Sequence, residues 1–317
     1  MIEFDYGIFY KDAKHAFIFV STGSSWKNIE DYALILNFLK KQNVEPFFFI
    51  IPWHFKHGEN YYHYFKNNSC DSIILCNDLE EVAYFQQLGI PCLHINQNCW
   101  LDYKNTYTYN ECGKKYDTVY NACNREYKNH SLLLSQTDYS KAFIYYPVDS
   151  TVNLKQYNPK VLYKDIKLNK VVSVLNQSKV GLCLSTMEGS CYASSEYLLC
   201  GLPVVSVENK GGRNFWYNST NSIMVAPNAE TIDSAVKTIL KNYDAFYPKK
   251  IREQHVALQD KVRSEFLDYI KILFYKKKIK TDPAEVLRKS FFNKMIRTEN
   301  FKIFKKDFLS LNFKNLG

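Results

Sequence analysis

The sequence lacks the patterns that place a chain in a membrane or in the secretory pathway. Its longest apolar run, PFFFIIPW, is too short to cross a bilayer and is typical of a buried strand. The N-terminus MIEFDYGIFY has no basic segment followed by an apolar core, as a signal peptide would. Nine cysteines are scattered without a CxxC pair, which favours reduced thiols over disulfides or a zinc site. We therefore expect a cytoplasmic protein without a bound metal.

Two glycine motifs that bind the phosphates of nucleotides are also missing. Neither GxGxxG nor GxxxxGK[ST] occurs anywhere in the chain. A dinucleotide-dependent dehydrogenase and a P-loop nucleotidase therefore have little support.

Most of the chain carries no net charge. Residues 1–270 carry 28 basic and 28 acidic side chains, whereas residues 271–317 carry 13 basic and 4 acidic ones. The whole net charge of +9 thus lies in the C-terminal segment. This argues against nucleic acid as a partner of the main body. The segment 271–317 is predicted either to contact an anionic membrane surface or to dock on the N-terminal domain.

Alternating strands and helices are what the sequence does contain. With 317 residues, 46% of them hydrophobic, the chain is long enough for two packed domains. Strands are predicted at HAFIFVS, PFFFIIP, SIILC and CLHIN, with helices at residues 26–41 and 79–89. After the polar segment YKNTYTYNECGKK a second series begins, with strands at YDTVYNA, AFIYY, VGLCLS and PVVSV. Such alternation predicts parallel sheets covered on both faces.

Two glutamates lie eight residues apart around the start of a predicted helix. Glu188 falls in the loop after the strand VGLCLS, where open α/β sheets bind ligands. Glu196 lies inside the helix predicted at residues 193–200. A carboxylate suits a sugar diol because it accepts two hydroxyl hydrogens, and a helix N-terminus suits a phosphate.

The order of features from Val180 to Ala235 resembles the donor-binding half of retaining GT-B glycosyltransferases of the group 1, or family 4, class. The matching residues are Ser185 at a strand end, Glu188-Gly189, Glu196, the strand CGLPVV and Gly211-Gly212. The resemblance implies two Rossmann-like domains facing across a cleft and a helical C-terminal extension. We place these domains at residues 1–112 on the acceptor side, 113–245 on the donor side and 246–317 in the extension.

The same resemblance assigns roles to individual residues. Glu188 would contact the donor sugar and Glu196 the ribose, while the sugar and phosphates would lie against the loop Gly189, Ser190, Cys191, Tyr192 and Ala193. Lys128 stands where the family has a phosphate-binding lysine, with Arg125 as the nearest substitute for the family's arginine. Arg213, after Gly211-Gly212, is a second candidate for the diphosphate. The catalytic set is thus Glu188, Lys128 and Arg213. The family's usual EGFGLP is EGSCYA here, so the identity of the donor sugar is not carried over.

Polar residues after the strands of the first domain are candidates for the acceptor side. They are Gly23, His54, Asn98 and Asp102. Each could position the acceptor or act on its hydroxyl, and each could equally be an ordinary loop residue.

The resemblance implies a retaining, metal-independent transfer of a sugar from a nucleotide-sugar to an acceptor hydroxyl. No Asp-x-Asp motif occurs, which argues against the metal-dependent GT-A class. The nucleotide-sugar is a co-substrate, so no cofactor is expected, and the acceptor would be a glycan or a lipid-linked molecule in polysaccharide or glycoconjugate synthesis. Two alternatives remain open: a non-catalytic GT-B-like protein that binds a sugar nucleotide or a partner, and a sugar-nucleotide epimerase of the same fold.

Overall fold

The chain forms two compact units. The computed structural model describes residues 2–22, 29–53, 55–133, 138–146, 152–290 and 295–311. Unit 1 combines Met1–Trp100 with Asp260–Gly317, and unit 2 is the continuous segment Leu101–Gln259. One unit is therefore assembled from two separate stretches of chain.

Unit 1 is built on a six-stranded sheet with parallel central strands. Its N-terminal part runs through β1 (Glu3–Lys11), β2 (His15–Ser21), α1 (Ala33–Lys41), β3 (Glu45–Ile51), α2 (Phe55–Asn67), β4 (Asp71–Cys76), α3 (Leu79–Gln87) and β5 (Cys92–His94). Strands β2 to β5 are parallel neighbours, as predicted. The sequence did not predict β1, which pairs antiparallel with β2, or the helix α2.

Unit 2 contains a second six-stranded sheet, in which every pairing is parallel. Its elements are β6 (Tyr116–Asn121), β7 (Lys141–Tyr145), β8 (Val161–Lys164), α4 (Leu168–Asn176), β9 (Ser178–Cys183), α5 (Tyr192–Leu199), β10 (Val204–Val207), β11 (Ser222–Val225) and α6 (Ala229–Lys241). The strand order is β11-β10-β9-β6-β7-β8. Along the chain, β7 and β8 are added on one side of β6, and β9, β10 and β11 are then added on its other side. The crevice between β6 and β9 is the point where open α/β sheets bind ligands.

The basic C-terminal segment docks on unit 1. After the long helix α7 (Pro248–Lys276) it forms α8 (Pro283–Ser290), β12 (Arg297–Asn300) and α9 (Phe301–Ser310). Strand β12 pairs antiparallel with β1, and Phe304 and Phe308 are buried in the core of unit 1. These two phenylalanines of α9 are therefore covered by protein, while Lys302 and Lys306 of the same helix stay exposed. Within the described ranges, no helix has both the length and the apolarity that a bilayer span needs.

Aromatic side chains fill both faces of the unit 1 sheet. On one face the rings of Phe48 and Phe65 stack with their centroids 3.9 Å apart. On the other face Phe266 of α7 packs on Phe19 and Phe49. Because β2 and β3 are covered on both sides, nearly every residue in them is apolar.

The compact units divide the chain at different places from the domain boundaries predicted after residues 112 and 245. Residues 101–112 lie in unit 2, where the Asn110 backbone N–H donates to Asn176 Oδ1 at 2.7 Å. Helix α7 is continuous, but residues 248–259 belong to unit 2 and residues 260–276 to unit 1. The polar segment 103–115 lies beside the first division, whereas the second division falls inside a continuous helix, where the sequence pattern carries no signal for it.

A buried carboxyl lies at the start of α3 in unit 1. Glu81 is 8% exposed, and its Oε2 accepts a hydrogen bond from the Asn77 backbone N–H at 2.6 Å. Burial, which outweighs that hydrogen bond, raises the pKa of Glu81 to about 8. The folded chain therefore holds a proton on Glu81 that the unfolded chain releases at much lower pH.

We expect Glu81→Gln to remove a loss of stability that develops between pH 4.5 and 8. Between pH 4.5 and 8 the folded state binds more protons at this position than the unfolded state, so the free energy of unfolding falls as pH rises. The glutamine variant should gain on the wild type by on the order of 1.4 kcal/mol per pH unit. Urea denaturation at pH 5 and pH 8 measures this gain. Glu80→Gln, at the exposed neighbour, should show none, and equal gains in both variants would contradict the assignment.

Candidate active site

Three loops meet at the carboxyl edge of the unit 2 sheet. They follow β6, β9 and β10, and because these strands are parallel their carboxyl ends lie on one side. Asn129 Nδ2, after β6, donates to the Leu184 carbonyl after β9 at 2.9 Å. The Glu188 N–H donates to the Lys210 carbonyl after β10 at 3.2 Å. These bonds fix the three loops around the crevice between β6 and β9.

Glu188 stands at the centre of these loops, between two basic side chains. It is 7% exposed, and its Oε1 forms an ion pair with Nζ of Lys128. Its Oε2 lies 3.6 Å from Nη1 of Arg213 and has no hydrogen-bond partner among the described residues. The structure thus brings together the three residues predicted as the catalytic set.

Arg213 lies beneath Glu188 and is completely buried. Its Nη1 donates to Ser185 Oγ at 2.9 Å, and its Nη2 donates to the carbonyls of Ser185 and Val207 at 2.8 and 2.9 Å. With an exposed fraction of 0%, the guanidinium does not present a face to a diphosphate. Its geometry instead suits orienting Glu188 and joining the ends of β9 and β10.

The Gly-Gly loop packs directly on the backbone of Glu188. Gly211 has φ +128°, and a Cβ atom there would lie 1.7 Å from the Glu188 carbonyl oxygen. The N–H of Gly212 donates to the Gly189 carbonyl. Only glycine fits at position 211, so this residue shapes the site through its backbone and holds Glu188 in place.

The loop that departs from the family pattern leads into α5. Ser190 is buried, whereas Tyr192 and Ala193 are half-buried. Cys191 takes a left-handed conformation, with φ 53° and ψ 83°, directly before the helix, and no side chain caps this end. Helix α5 thus begins four residues after Glu188, and a helix N-terminus suits an anion.

Glu196 lies in the second turn of α5 and is held by two partners that the sequence did not predict. The Tyr107 hydroxyl donates to Oε1 at 2.7 Å, and Asn121 Nδ2 donates to Oε2 at 2.8 Å. Glu196 is 4% exposed. Tyr107 precedes Glu196 by 89 residues in the sequence, so local spacing could not indicate this contact. Asn121, the last residue of β6, was detectable only as a polar residue at a strand end.

We expect Tyr107→Phe to lower both the stability of the fold and the affinity for a nucleotide that Glu196 contacts. The change removes a buried hydrogen bond to a charged group, which costs about 1.5–3 kcal/mol of stability. Chemical denaturation measures the loss, and calorimetry with a nucleotide measures the affinity. Tyr109→Phe is the control, because this half-buried tyrosine donates no hydrogen bond to a described side chain. Equal stability of the two variants would contradict a role for the Tyr107 hydroxyl.

Lys128 is carried by a short 3-10 helix, Glu126–Lys128, that follows β6. The Tyr120 hydroxyl donates to the Lys128 carbonyl, and the buried His130 stacks on the ring of Tyr157. Burial and the charge of Lys128 lower the pKa of His130 to about 4, so the ring is neutral at pH 7.

The Arg125 side chain is half-buried and forms no ion pair with a described residue. Arg125 is therefore available for an anion, whereas Lys128 already pairs with Glu188.

The structure describes two of the four residues predicted for the acceptor side. Asn98 is fully buried, and its N–H donates to Asn96 Oδ1 at 3.0 Å. Asp102 lies in unit 2 and closes its own loop by accepting from the N–H groups of Lys104 and Asn105. Gly23 and His54 lie outside the described residues. Across the described ranges, no group of three or more His, Cys, Asp or Glu side chains is arranged to hold a metal ion.

Comparison with solved structures identifies the fold. Sucrose-phosphate synthase from Thermosynechococcus elongatus superimposes with a TM-score of 0.61 and 14% identity over 79% of this chain and 78% of that protein. The pneumococcal O-GlcNAc transferase GtfA, solved with UDP and GlcNAc, gives a TM-score of 0.57 and 13% identity, covering 77% of this chain and 60% of that chain. Anabaena HepE, solved with UDP, gives a TM-score of 0.51 and 10% identity over 81% and 99% of the two chains.

These likenesses show a two-unit α/β fold of the GT-B glycosyltransferase type, as the sequence predicted. No protein-family model matches the sequence, and no curated protein matches it. At identities of 10–14% the likenesses establish the fold alone, and the chemistry has to be argued from the residues.

Proposed function

We propose that this chain is a retaining, metal-independent glycosyltransferase that moves a sugar from a nucleotide-sugar to an acceptor hydroxyl. The observation that carries the proposal is the position of Glu188, which is held between Lys128 and Arg213 at the carboxyl ends of β6 and β9, where the strand order reverses. The spacing of Glu188 and Glu196 and the Gly-Gly loop support it. A carboxylate, a lysine and a helix N-terminus at one crevice suit a sugar, a diphosphate and a ribose bound together.

The donor we propose carries a uridine diphosphate. GtfA was solved with UDP and GlcNAc, and HepE was solved with UDP-glucose as well as UDP. In our chain Glu196 would accept hydroxyl hydrogens from the ribose, and the N-terminus of α5 would bind the phosphates. Ser190, Cys191, Tyr192 and Ala193 would surround the sugar, so their departure from the family pattern bears on which sugar is taken.

The proposed reaction proceeds on one face of the sugar. The bond between the anomeric carbon and the diphosphate oxygen breaks, and the acceptor oxygen bonds to the same face of that carbon. The acceptor's proton passes to the departing phosphate oxygen. Lys128 would exchange its partner Glu188 for the diphosphate and stabilise the developing charge, which leaves the Glu188 carboxylate free to hold the sugar hydroxyls.

The acceptor we propose is a glycan or lipid-linked molecule in polysaccharide or glycoconjugate synthesis. Since Phe304 and Phe308 are buried, a contact of the C-terminal segment with an anionic membrane would draw on its exposed basic side chains, such as Lys302 and Lys306. Binding of such a type weakens steeply with salt. Co-sedimentation with phosphatidylserine liposomes that does not respond to salt would remove this part of the proposal.

A nucleotide screen tests the function directly. We expect UDP and a UDP-sugar to raise the melting temperature, because a ligand that binds only the folded state stabilises it. Lys128→Ala should weaken UDP binding, whereas Lys179→Ala, which removes a surface pair with Asp117, should not. UDP release only when an acceptor is present distinguishes transfer from epimerisation or binding without turnover. Absence of any nucleotide-dependent shift would overturn the proposal.

A further inference from the structure

Arg252, in the part of α7 that belongs to unit 2, donates hydrogen bonds to the backbone of two other segments. Its Nη1 donates to the carbonyls of Tyr107 and Leu199, and its Nη2 donates to the carbonyl of Tyr103 at 2.5 Å. A guanidinium can serve three carbonyls at once, because its five N–H donors are fixed in one plane. Arg252 therefore joins the segment that contains Tyr107 to the C-terminal end of α5.

The C-terminal end of α5 is a place where an arginine is favourable. Leu199 is the last residue of this helix. The last carbonyls of a helix have no partner inside it, and the helix dipole favours a positive charge beside them, so Arg252 supplies both a donor and a charge. The packing here is close, since a Cβ atom added to Gly201 would lie 2.8 Å from the Pro248 carbonyl oxygen and 3.0 Å from the ring of Tyr109. The end of α5, the start of α7 and the segment of Tyr109 thus meet at one point.

Tyr107 connects Arg252 to Glu196. The Tyr107 side chain is completely buried, and its hydroxyl donates to Glu196 Oε1 at 2.7 Å. Its backbone is held on both sides, since its N–H donates to the Asp102 carbonyl at 2.9 Å and its carbonyl accepts from Arg252. Glu196 precedes Leu199 by three residues in α5. Arg252 thus holds the backbones that carry the donor and the acceptor of this buried hydrogen bond, and so fixes one relative to the other.

We propose that Arg252 is a positioning residue, which through Tyr107 holds Glu196 in the orientation that binds the ribose of the donor. It thereby sets the preference of the protein for a ribonucleotide over a 2′-deoxyribonucleotide. This inference rests on the proposed function, in which Glu196 accepts hydroxyl hydrogens from the ribose. A site built to bond a hydroxyl discriminates strongly against the analogue that lacks it, provided that the bonding group is held in place. Without Arg252, the segment of Tyr107 and the end of α5 lose their common donor, and Glu196 loses its fixed orientation.

Calorimetry with UDP and 2′-deoxy-UDP tests the proposal, because the ratio of the two affinities reports the ribose contact and not the stability of the fold. We expect the wild type to bind UDP about tenfold or more tightly than 2′-deoxy-UDP. Arg252→Met should weaken the binding of UDP but not that of 2′-deoxy-UDP, so that the ratio approaches one. Arg252→Lys keeps the charge but not the planar fork, so it should give an intermediate ratio, and it replaces the methionine variant if that variant does not fold. An unchanged ratio in the folded variants would overturn the proposal.

Arg263→Met is the matched control, because Arg263 lies on the same helix and also donates to a backbone carbonyl. Its Nε donates to the carbonyl of Cys99 at 2.6 Å, and both residues belong to unit 1. We expect its removal to lower the midpoint of urea denaturation and to leave the ratio of the two affinities at the wild-type value. If the ratio falls as far in Arg263→Met as in Arg252→Met, the effect is a general consequence of lost stability, and the positioning role is wrong.

Urea denaturation tests the connection to Tyr107 without any nucleotide. If Arg252 holds the Tyr107 hydroxyl against Glu196, Tyr107→Phe should shift the midpoint less in an Arg252 variant than in the wild type. Equal shifts in the two backgrounds would contradict the connection. If the shifts differ but the wild type does not bind UDP, Arg252 still positions Glu196 and the proposed donor fails. If the wild type binds UDP and 2′-deoxy-UDP equally, Glu196 does not select the ribose, and the role of Arg252 in nucleotide preference is overturned.

Discussion

Replacing Glu188 with glutamine is expected to lower the rate of sugar transfer about a hundredfold or more while leaving the fold intact. Glutamine has almost the same shape, so the loop that packs on Gly211 keeps its backbone. The carboxylate that pairs with Lys128 and faces Arg213 is lost, however, and with it the group that we propose as the acceptor of two sugar hydroxyl hydrogens. Losing one such fixed polar contact to the transition state typically costs about a hundred- to a thousandfold in rate.

Steady-state kinetics with a UDP-sugar and the acceptor measure this loss. The matched control is Glu208→Gln, because Glu208 is an exposed glutamate at the end of β10, on the same edge of the sheet. The loss at Glu188 should fall on kcat more than on KM if the contact strengthens in the transition state. Turnover within a few fold of the wild type in Glu188→Gln would remove the residue from the mechanism.

The largest effect on stability is expected from Arg213→Met. Methionine fills most of the buried volume but leaves the carbonyls of Ser185 and Val207 without their donor and removes a cation from beside Glu188. Breaking a buried ion pair by removing one partner typically costs about 3–5 kcal/mol. The midpoint of urea denaturation should fall accordingly, and transfer should fall with it because Glu188 loses its support.

Lys179→Met is the control for this prediction. Lys179 lies in β9 and pairs with Asp117 at 3.0 Å, but its side chain is 36% exposed. A surface ion pair is worth about 0–1 kcal/mol. If both variants unfold at the same urea concentration, Arg213 does not have the structural role that its hydrogen bonds indicate.

The apolar runs of the sequence predicted every central strand except β1, but only one of the four edge strands, β5. Runs such as HAFIFVS are buried on both faces, so nearly every residue in them has to be apolar. Strands β8 (VLYK), β11 (SIMV) and β12 (RTEN) lie at sheet edges, where one backbone side and much of the surface stay open. Their pairing depends on the neighbouring strand more than on their own residues, so their composition gave little signal.

In the candidate site, too, residues close together in the sequence were predicted, whereas contacts between residues far apart in the sequence were not. The spacing of Glu188 and Glu196 located the loop and helix, because both residues belong to one strand–loop–helix segment. The partners of Glu196 come from other parts of the chain, and Tyr107 contacts it across 89 residues. Arg213 was predicted to face a diphosphate, yet it is buried because the carbonyls of two strand ends accept its hydrogens. Which side of an arginine meets solvent depends on tertiary contacts that spacing does not specify.

The division of unit 1 between the two ends of the chain has a consequence for synthesis on the ribosome. Unit 2 is one continuous segment, so all of its residues are translated before residues 260–311. Until β12 and α9 appear, the edge of β1 has no partner and the apolar residues Phe4 and Tyr6 lack their cover from Phe301 and Phe304. The nascent chain thus has to keep its first hundred residues from aggregating while the later-made unit folds first.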